Sequence, residues 1–205
     1  MEITRLRTAG SRDPQAPPDH ENNVWIVGDE AEVIVIDPAH DAEAVLQAVG
    51  GRRVVAVLLT HGHWDHVRAA PRFAKLTGVT PHLAAADDFL WRESNGDAPY
   101  LPLADGAAFT VAGHSLVAMG TPGHTPGSSC YWLESMQTVF TGDTLFEGGP
   151  GATRWGYSSF AQIIASITRR LFPLGDEVAV NTGHGPSTTI GVERADLQAW
   201  LDRGW

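Results

Sequence analysis

Hydrophobic and polar positions alternate along the chain in short apolar runs that are typical of β-strands. Residues 24–27 and 32–36 are apolar and β-branched, and the turn at 28–31 between them predicts a hairpin. The continuous apolar run 54–60 predicts a strand that is buried on both faces. Further strands are expected at residues 80–84, 109–111, 115–119, 129–133, 138–140 and 177–180.

Other segments carry the spacing of amphipathic helices, at residues 41–49, 69–76, 85–93, 159–171 and 192–201. The first begins at Asp41, a favourable N-cap, and is followed by Gly50-Gly51, which is expected to stop it. Residues 11–21, 94–106 and 147–158 are predicted to be loops. One face of the segment 159–171 is apolar and is expected in the core: Phe160, Ile163, Ile164 and Ile167.

Hairpins mixed with strand–helix alternation indicate an α/β protein with a mixed sheet system. Hydrophobic residues make up 43% of the 205 residues, which is enough to bury a sizeable core. The chain contains no repeat, linker or low-complexity segment. We therefore expect a single domain over residues 1–205.

The net charge, the hydropathy and the cysteine content limit the kinds of partner and the cellular location that are expected. The formal net charge is −10, and an acidic surface repels phosphate backbones, so nucleic acid is not expected as a partner. No stretch is long and apolar enough to span a membrane, and the N-terminus lacks the apolar core of a secretory signal. The single cysteine, Cys130, rules out an intramolecular disulfide and is expected to be a buried small residue. These features predict a cytoplasmic location.

The segment that follows the run 54–60 is dense in metal-ligating side chains. Four potential ligands fall within six residues, and no strand or helix face requires that density: His61, His63, Asp65 and His66. Imidazole and carboxylate together suit zinc, iron or manganese. Gly62 lets the chain bend so that the histidines on either side of it can aim at one point.

Three more candidate ligands lie in glycine-flanked loops: His124, Asp143 and His184. The second and third come directly after predicted strands, where binding sites are usually built. The remaining histidines have no partner at ligand spacing and are expected to be structural: His20, His40, His82 and His114.

The motif His61-x-His63-x-Asp65-His66, followed in order by His124, Asp143 and His184, resembles the metallo-β-lactamase superfamily over residues 22–186. The resemblance implies a four-layer αββα sandwich with the metals at one edge of the two sheets. It implies two divalent metal ions, with zinc expected and iron or manganese as alternatives. His61, His63 and His124 resemble the ligands of the first metal. Asp65, His66 and His184 resemble the ligands of the second, and Asp143 occupies the bridging position.

The same resemblance implies roles for residues around the metals. Asp37 matches a position that orients a ligand histidine. Arg154 and Tyr157 lie in the loop 147–158, which is near the substrate in glyoxalase-II-like relatives, so they are candidates for substrate binding. An ordinary surface loop is the alternative interpretation. Asn22 and Asn23 precede the first predicted strand as they do in relatives, and no role is assigned to them.

The subgroup most similar to the chain is the small glyoxalase-II-like hydrolases. This resemblance implies hydrolysis of a thioester of a low-molecular-weight thiol by metal-bound hydroxide, with Asp65 as a ligand and a candidate proton acceptor. Zinc-dependent β-lactamases have a cysteine where this chain has Asp143, which argues against that activity. Full-length glyoxalase II carries a C-terminal helical domain that is not expected here, so the thiol is left open, with mycothiol or bacillithiol as alternatives to glutathione.

Two other reactions remain open from the sequence. Persulfide dioxygenases share the motif but use one iron, held by the residues that match His61, His63, His124 and Asp143. Lactonases that act on acyl-homoserine lactones use two metals. The sequence leaves the oligomeric state undetermined.

Overall fold

The computed structural model describes residues 1–204 and contains two six-stranded sheets. The first sheet is formed by the N-terminal half in the spatial order β1-β2-β3-β4-β5-β6. Its strands are β1 (Glu2–Gly10), β2 (His20–Gly28), β3 (Glu32–Ile36), β4 (Arg53–Leu58), β5 (Pro81–Leu83) and β6 (Leu101–Pro102). The first three strands pair antiparallel and the others parallel, so the predicted hairpin over β2 and β3 is confirmed.

The second sheet has the spatial order β14-β13-β10-β9-β8-β7. Its strands are β7 (Ala108–Val111), β8 (His114–Gly120), β9 (Ser129–Leu133), β10 (Thr138–Gly142), β13 (Ala179–Thr182) and β14 (Thr188–Thr189). The strands β10 and β13 run parallel, and the other pairs are antiparallel. A separate small hairpin is formed by β11 (Leu145–Phe146) and β12 (Gly149–Pro150), and its second strand lies within the region 147–158 that was expected to be loop.

Helices cover the outer face of each sheet. They are α1 (Ala42–Val49), α2 (Trp64–Val67), α3 (Ala70–Thr77), α4 (Asp88–Asn95), α5 (Phe160–Ser166), α6 (Ile190–Ala195) and α7 (Leu197–Arg203). The predicted N-cap of α1 is confirmed, since the Asp41 side chain accepts a hydrogen bond from the Ala44 amide and Gly50 ends the helix in the left-handed region.

Three apolar clusters hold the layers together. The central cluster joins the two sheets face to face, with Ile34 and Leu58 from the first sheet and Leu116 and Phe140 from the second. A second cluster packs α1 and α3 on the outer face of the first sheet. A third packs α5 and α7 on the outer face of the second sheet. The architecture is therefore the expected αββα sandwich, and the predicted burial of Cys130 is also confirmed.

Several predicted boundaries are wrong. The strand β1 was not expected, because it is an edge strand whose charged residues Arg5 and Arg7 are solvent-facing and hide the apolar alternation. The strand β4 is only half-buried over its first residues. The predicted helix 159–171 changes to a wider π-turn after Ser166, and the predicted helix 192–201 is two helices that meet at Asp196. No helix within residues 1–204 is long and apolar enough to cross a bilayer.

Candidate metal centre

All seven candidate ligands meet at one end of the two sheets. Four follow β4 in the segment 59–66, which passes into the short helix α2, and His124 lies in the loop between β8 and β9. Asp143 directly follows β10, and His184 follows β13 two residues after its end. Because β10 and β13 are parallel neighbours, their carboxyl ends lie together and bring these last two residues to the same place.

Glycine is required where these loops approach one another. Gly142, before Asp143, has a φ of 49°, and a Cβ there would lie 2.4 Å from Thr60 Oγ1. A Cβ at Gly183, before His184, would lie 2.4 Å from Asp143 Oδ1. The glycines beside the ligands therefore allow separate loops to pack at distances that any side chain would block.

The first ligand group consists of His61, His63 and His124. His63 Nδ1 lies 3.0 Å from His61 Nε2 and 2.9 Å from His124 Nε2. Four ligands at zinc–nitrogen distances of about 2.0–2.1 Å in a tetrahedron are roughly 3.3 Å apart, so this spacing suits a metal ion. Burial lowers the pKa of all three imidazoles, that of His63 to about 3, which keeps their nitrogen lone pairs free.

The second ligand group consists of Asp65, His66 and His184. His184 Nε2 lies 3.2 Å from both His66 Nε2 and Asp65 Oδ2. Burial opposes a charge on His184, but the nearby carboxylates of Asp143 and Asp65 outweigh it and raise the pKa of His184 to about 10. The pKa of His66 is likewise raised against its burial, by the carboxylates around it.

Asp143 lies between the two groups. Its Oδ1 is 3.3 Å from His66 Nε2, and its Oδ2 is 3.5 Å from both His124 Nε2 and His184 Nε2. Although burial opposes its charge, the neighbouring His184 and His66 hold the pKa of Asp143 well below its usual range. This position, in contact with a histidine of each group, suits the bridging role implied by the resemblance.

The donor set fits divalent metal ions. Asp143 Oδ1 is fully buried and, although it lies 3.3 Å from His66 Nε2, it accepts no hydrogen bond within residues 1–204. A cation bound there would stabilise this buried carboxylate oxygen. Three overlapping sets of ligand atoms each lie within 4.8 Å of one another: His61, His63 and His124; His61, His66 and Asp143; and Asp65, His66 and His184. Imidazole and carboxylate atoms at these distances form the kind of cluster that divalent ions occupy.

Asp37 contacts one of these ligands, at the position for which the resemblance implies an orienting role. Its Oδ2 accepts hydrogen bonds from His66 Nδ1 at 2.9 Å and from Thr60 Oγ1 at 2.6 Å, and its Oδ1 accepts one from the Thr60 amide. The bond to Nδ1 directs Nε2 of His66 at the cluster. Asp37 itself has a φ of 48°, a strained conformation for a residue other than glycine.

Two asparagines to which the sequence analysis assigned no role, Asn22 and Asn23, support the second group. Asn22 Nδ2 donates to Asp65 Oδ2 at 3.1 Å, and Asn22 Oδ1 lies 2.6 Å from His40 Nε2. His40 therefore fixes the amide that holds Asp65, which is a structural role beside the second group. No ligand spacing marks His40. Asn23 also contributes, since its amide donates to the carbonyls of Thr182 and Gly185 on either side of His184.

Asp87 was missed by the sequence analysis and joins two ligand loops. Its carboxylate accepts hydrogen bonds from the Gly62 amide, the Gly127 amide and Thr125 Oγ1, at 2.6–2.8 Å. It therefore ties the loop of His61 and His63 to the loop of His124. Burial raises its pKa, and these donors oppose that shift. A single aspartate before a helix gives no sequence signal for this role.

The ligands form the floor of an open cavity of about 640 Å³. Both residues predicted to bind substrate, Arg154 and Tyr157, line it. The Arg154 guanidinium lies 5.0 Å from the Trp155 ring centroid, and no carboxylate within residues 1–204 lies in ion-pair distance of it. His20, which was expected to be structural, also lines the cavity.

The fold and the ligand cluster together define a class of metal-dependent hydrolases. The sequence-family model of the metallo-beta-lactamase superfamily matches residues 17–184. The chain therefore belongs to this superfamily. The expected fold and family are thereby confirmed.

The chain is also similar to individual relatives and to solved structures. The chain is 34% identical to the hydroxyacylglutathione hydrolase GloC of Haemophilus influenzae over 191 residues, which cover 85% of this chain and 90% of that protein. The structure is similar to TTHA1623 in a di-iron-bound form, with a TM-score of 0.75, 30% identity and coverage of 85% and 92% of the two chains. It is also similar to ETHE1 of Myxococcus xanthus, with a TM-score of 0.74, 28% identity and coverage of 93% and 80%.

Proposed function

We propose that the protein hydrolyses a thioester of a low-molecular-weight thiol at a centre of two divalent metal ions, with zinc as the expected metal. The observation that carries the proposal is the pair of ligand groups that share Asp143 at the floor of an open cavity. His61, His63 and His124 would hold one ion, and Asp65, His66 and His184 the other. When bound, such ions polarise a carbonyl and lower the pKa of a water molecule.

The chain's own residues prepare this centre. The first group presents neutral imidazoles, because burial lowers their pKa values. Asp65 stays ionised, because His66 and His184 lower its pKa against the effect of burial. An ionised Asp65 accepts the Asn22 amide hydrogen bond and is available to take up a proton from a neighbouring water. That proton-accepting role stays a prediction.

The thioester class is supported by the relative and by the cavity. The GloC relative is named as a hydroxyacylglutathione hydrolase, and the alignment covers most of both chains. A thiolate leaving group needs no dedicated acid, because a free thiol has a pKa of about 8.5. Arg154 lies at the cavity wall and has no carboxylate partner in the part of the chain that the structure describes, so it suits an acidic group on the thiol portion. Tyr157 lies on the same wall. The cytoplasmic location and the lack of nucleic-acid and membrane partners stay predictions.

A direct test combines elemental analysis with a substrate panel. S-lactoylglutathione, lactoyl thioesters of other small thiols and the matched lactoyl oxygen ester are incubated with one metal-replete preparation. We expect two metal ions per chain and turnover of at least one thioester well above that of the oxygen ester. The His124→Ala variant is the control for activity that depends on the centre. A metal-replete protein that hydrolyses no thioester would overturn the proposal.

Persulfide dioxygenase activity with a single iron is the second candidate. It is favoured by the observation that the first group and Asp143 already form a four-residue ligand set, with His124 Nε2 and Asp143 Oδ2 3.5 Å apart. One iron per chain, with oxygen uptake in the presence of a persulfide, would select it. Hydrolysis of acyl-homoserine lactones by the same preparation would select the lactonase instead.

A further inference from the structure

In each ligand histidine, one ring nitrogen faces the cluster and the other contacts a partner outside the ligand set. In four of them Nε2 faces the cluster, and Nδ1 contacts a buried side chain or a backbone carbonyl: His61 with Thr60 Oγ1, His66 with Asp37, His124 with the Ala152 carbonyl and His184 with the Glu21 carbonyl. His63 is reversed. Its Nδ1 faces the other two imidazoles of the first group, so its Nε2 points out of the cluster.

The partner of that outward nitrogen is Tyr157. His63 Nε2 lies 2.9 Å from Tyr157 Oη. A ligand nitrogen must present a lone pair, so when Nδ1 binds a cation the ring proton is on Nε2. Nε2 then donates and the tyrosine oxygen accepts. Among the side-chain partners, Tyr157 lines the cavity, whereas Thr60 and Asp37 do not. The partners of His124 and His184 are backbone carbonyls.

The Tyr157 ring is held in place independently of its hydroxyl. It is stacked parallel to Trp155, with ring centroids 6.1 Å apart and an interplanar angle of 4°. Phe89 of α4 packs edge-on against it at 5.2 Å. Because these contacts use the ring faces and edges, removing the hydroxyl alone leaves the wall of the cavity intact.

We propose that Tyr157 is a positioning residue for His63: its hydroxyl fixes the tautomer and the orientation in which Nδ1 faces the first metal ion. The cavity wall and the first ligand group are thereby linked through one hydrogen bond. The proposal rests on the proposed metal centre, and it does not depend on which substrate the protein hydrolyses. It adds a role for Tyr157 besides that of a substrate contact.

Cobalt(II) binding to the Tyr157→Phe variant tests the proposal. We expect the affinity for cobalt, measured by competition with a chelating dye, to fall about tenfold, at the lower end of the 10–100-fold effects of residues that orient ligands. The visible absorption bands of the cobalt-loaded protein should also change, since they report the geometry around the ion. With substrate, kcat should fall more than KM rises.

Tyr100→Phe is the matched control. The Tyr100 hydroxyl donates to Asp88 at 2.8 Å and is outside the cavity lining, so its removal should leave cobalt affinity and spectrum unchanged. Tyr157→Leu, which removes the ring as well, should weaken cobalt binding to the same extent as Tyr157→Phe and raise KM further. Unchanged cobalt affinity and spectrum in Tyr157→Phe, with only a raised KM, would overturn the proposal. Failure of the wild-type protein to hydrolyse thioesters would overturn the proposed function and leave this result standing.

Discussion

The two ligand groups differ in what they contain when no cation is bound. In the first group, burial keeps three imidazoles neutral, with pKa values below the usual value. In the second group, carboxylates keep His66 and His184 protonated, with raised pKa values. The first group is therefore ready to bind a cation, whereas the second carries protons that balance its carboxylates. Although the two groups contain similar ligand types, a metal ion must displace protons to bind the second group but not to bind the first.

The groups also differ in how they are supported. The first group is oriented by Thr60, by Tyr157 and by a backbone carbonyl. The second depends on Asp37 and on the pair Asn22 and His40. Asp37 and His40 both have positive φ values, 48° and 59°, in the loop between β3 and α1. Among the residues that support the two groups, those with positive φ thus lie in the loop that supports the second group.

Ligand removal has the largest expected effect and tests whether the groups are separate sites. His63→Ala belongs to the first group alone, and His184→Ala to the second. In a centre with two ions, each variant should lose about one ion per chain by elemental analysis. Activity should fall by more than the roughly 10–100-fold effect of losing a residue that only orients a ligand.

The same pair of variants discriminates between one ion and two. If His184→Ala retains all the metal and most of the activity while His63→Ala loses both, the protein uses the first group alone. That result would favour the single-iron alternative over hydrolysis by two ions. Loss of all metal in both variants would show that the two groups are one cooperative site.

Metal uptake should depend on pH differently in the two groups. At pH 7 a cation must displace protons from His66 and His184, but none from His61, His63 and His124. Affinity of the second group should therefore rise with pH, by about tenfold per unit for each displaced proton, up to about pH 10, the pKa of His184. Because the pKa values of its imidazoles lie below the usual value, affinity of the first group should change much less with pH above pH 7. Calorimetry in buffers of different ionisation enthalpy counts the released protons.

The sign of the stability change gives an independent check. A raised histidine pKa stabilises the metal-free fold fully below the unfolded value of about 6.5, and this stabilisation is lost as pH rises toward 10 for His184. A lowered pKa has the opposite effect, so the neutral His63 costs stability as pH falls from 6.5 toward about 3. If calorimetry instead shows that the same number of protons is released when each group binds its metal ion, the proposed difference in protonation between the two groups is wrong.

The sequence predicts the candidate metal ligands better than the residues that hold those ligands in place. His61, His63, Asp65 and His66 are recognisable because they are crowded into one segment. His124, Asp143 and His184 are recognised through glycine-rich loops and the order shared with the superfamily. The αββα layers follow from that resemblance, whereas hydrophobic patterning alone indicates only a mixed α/β protein.

Apart from Asp37, which the resemblance implied, the supporting residues could not be predicted, because their roles depend on contacts between residues far apart in the chain. Asn22 contacts Asp65 across 43 residues of chain, and Asp87 contacts the Gly62 amide across 25. The edge strand β1 was hidden by its exposed charges. No local pattern contains these contacts, since each requires two loops to be already folded.

The smallest expected effect concerns His40 and should be confined to the second group. His40→Asn is chosen because asparagine tolerates the positive φ found there and is too short to replace the imidazole at Asn22. Releasing the Asn22 amide should weaken metal binding by the second group several-fold, up to about tenfold, and leave the first group unchanged. Chelator competition on each site measures this, with His82→Asn as the control, because His82 packs on Phe109 outside the cavity lining. Equal weakening of both groups would mean that the loop between β3 and α1 supports the whole centre, because Asp37 also contacts Thr60, next to His61.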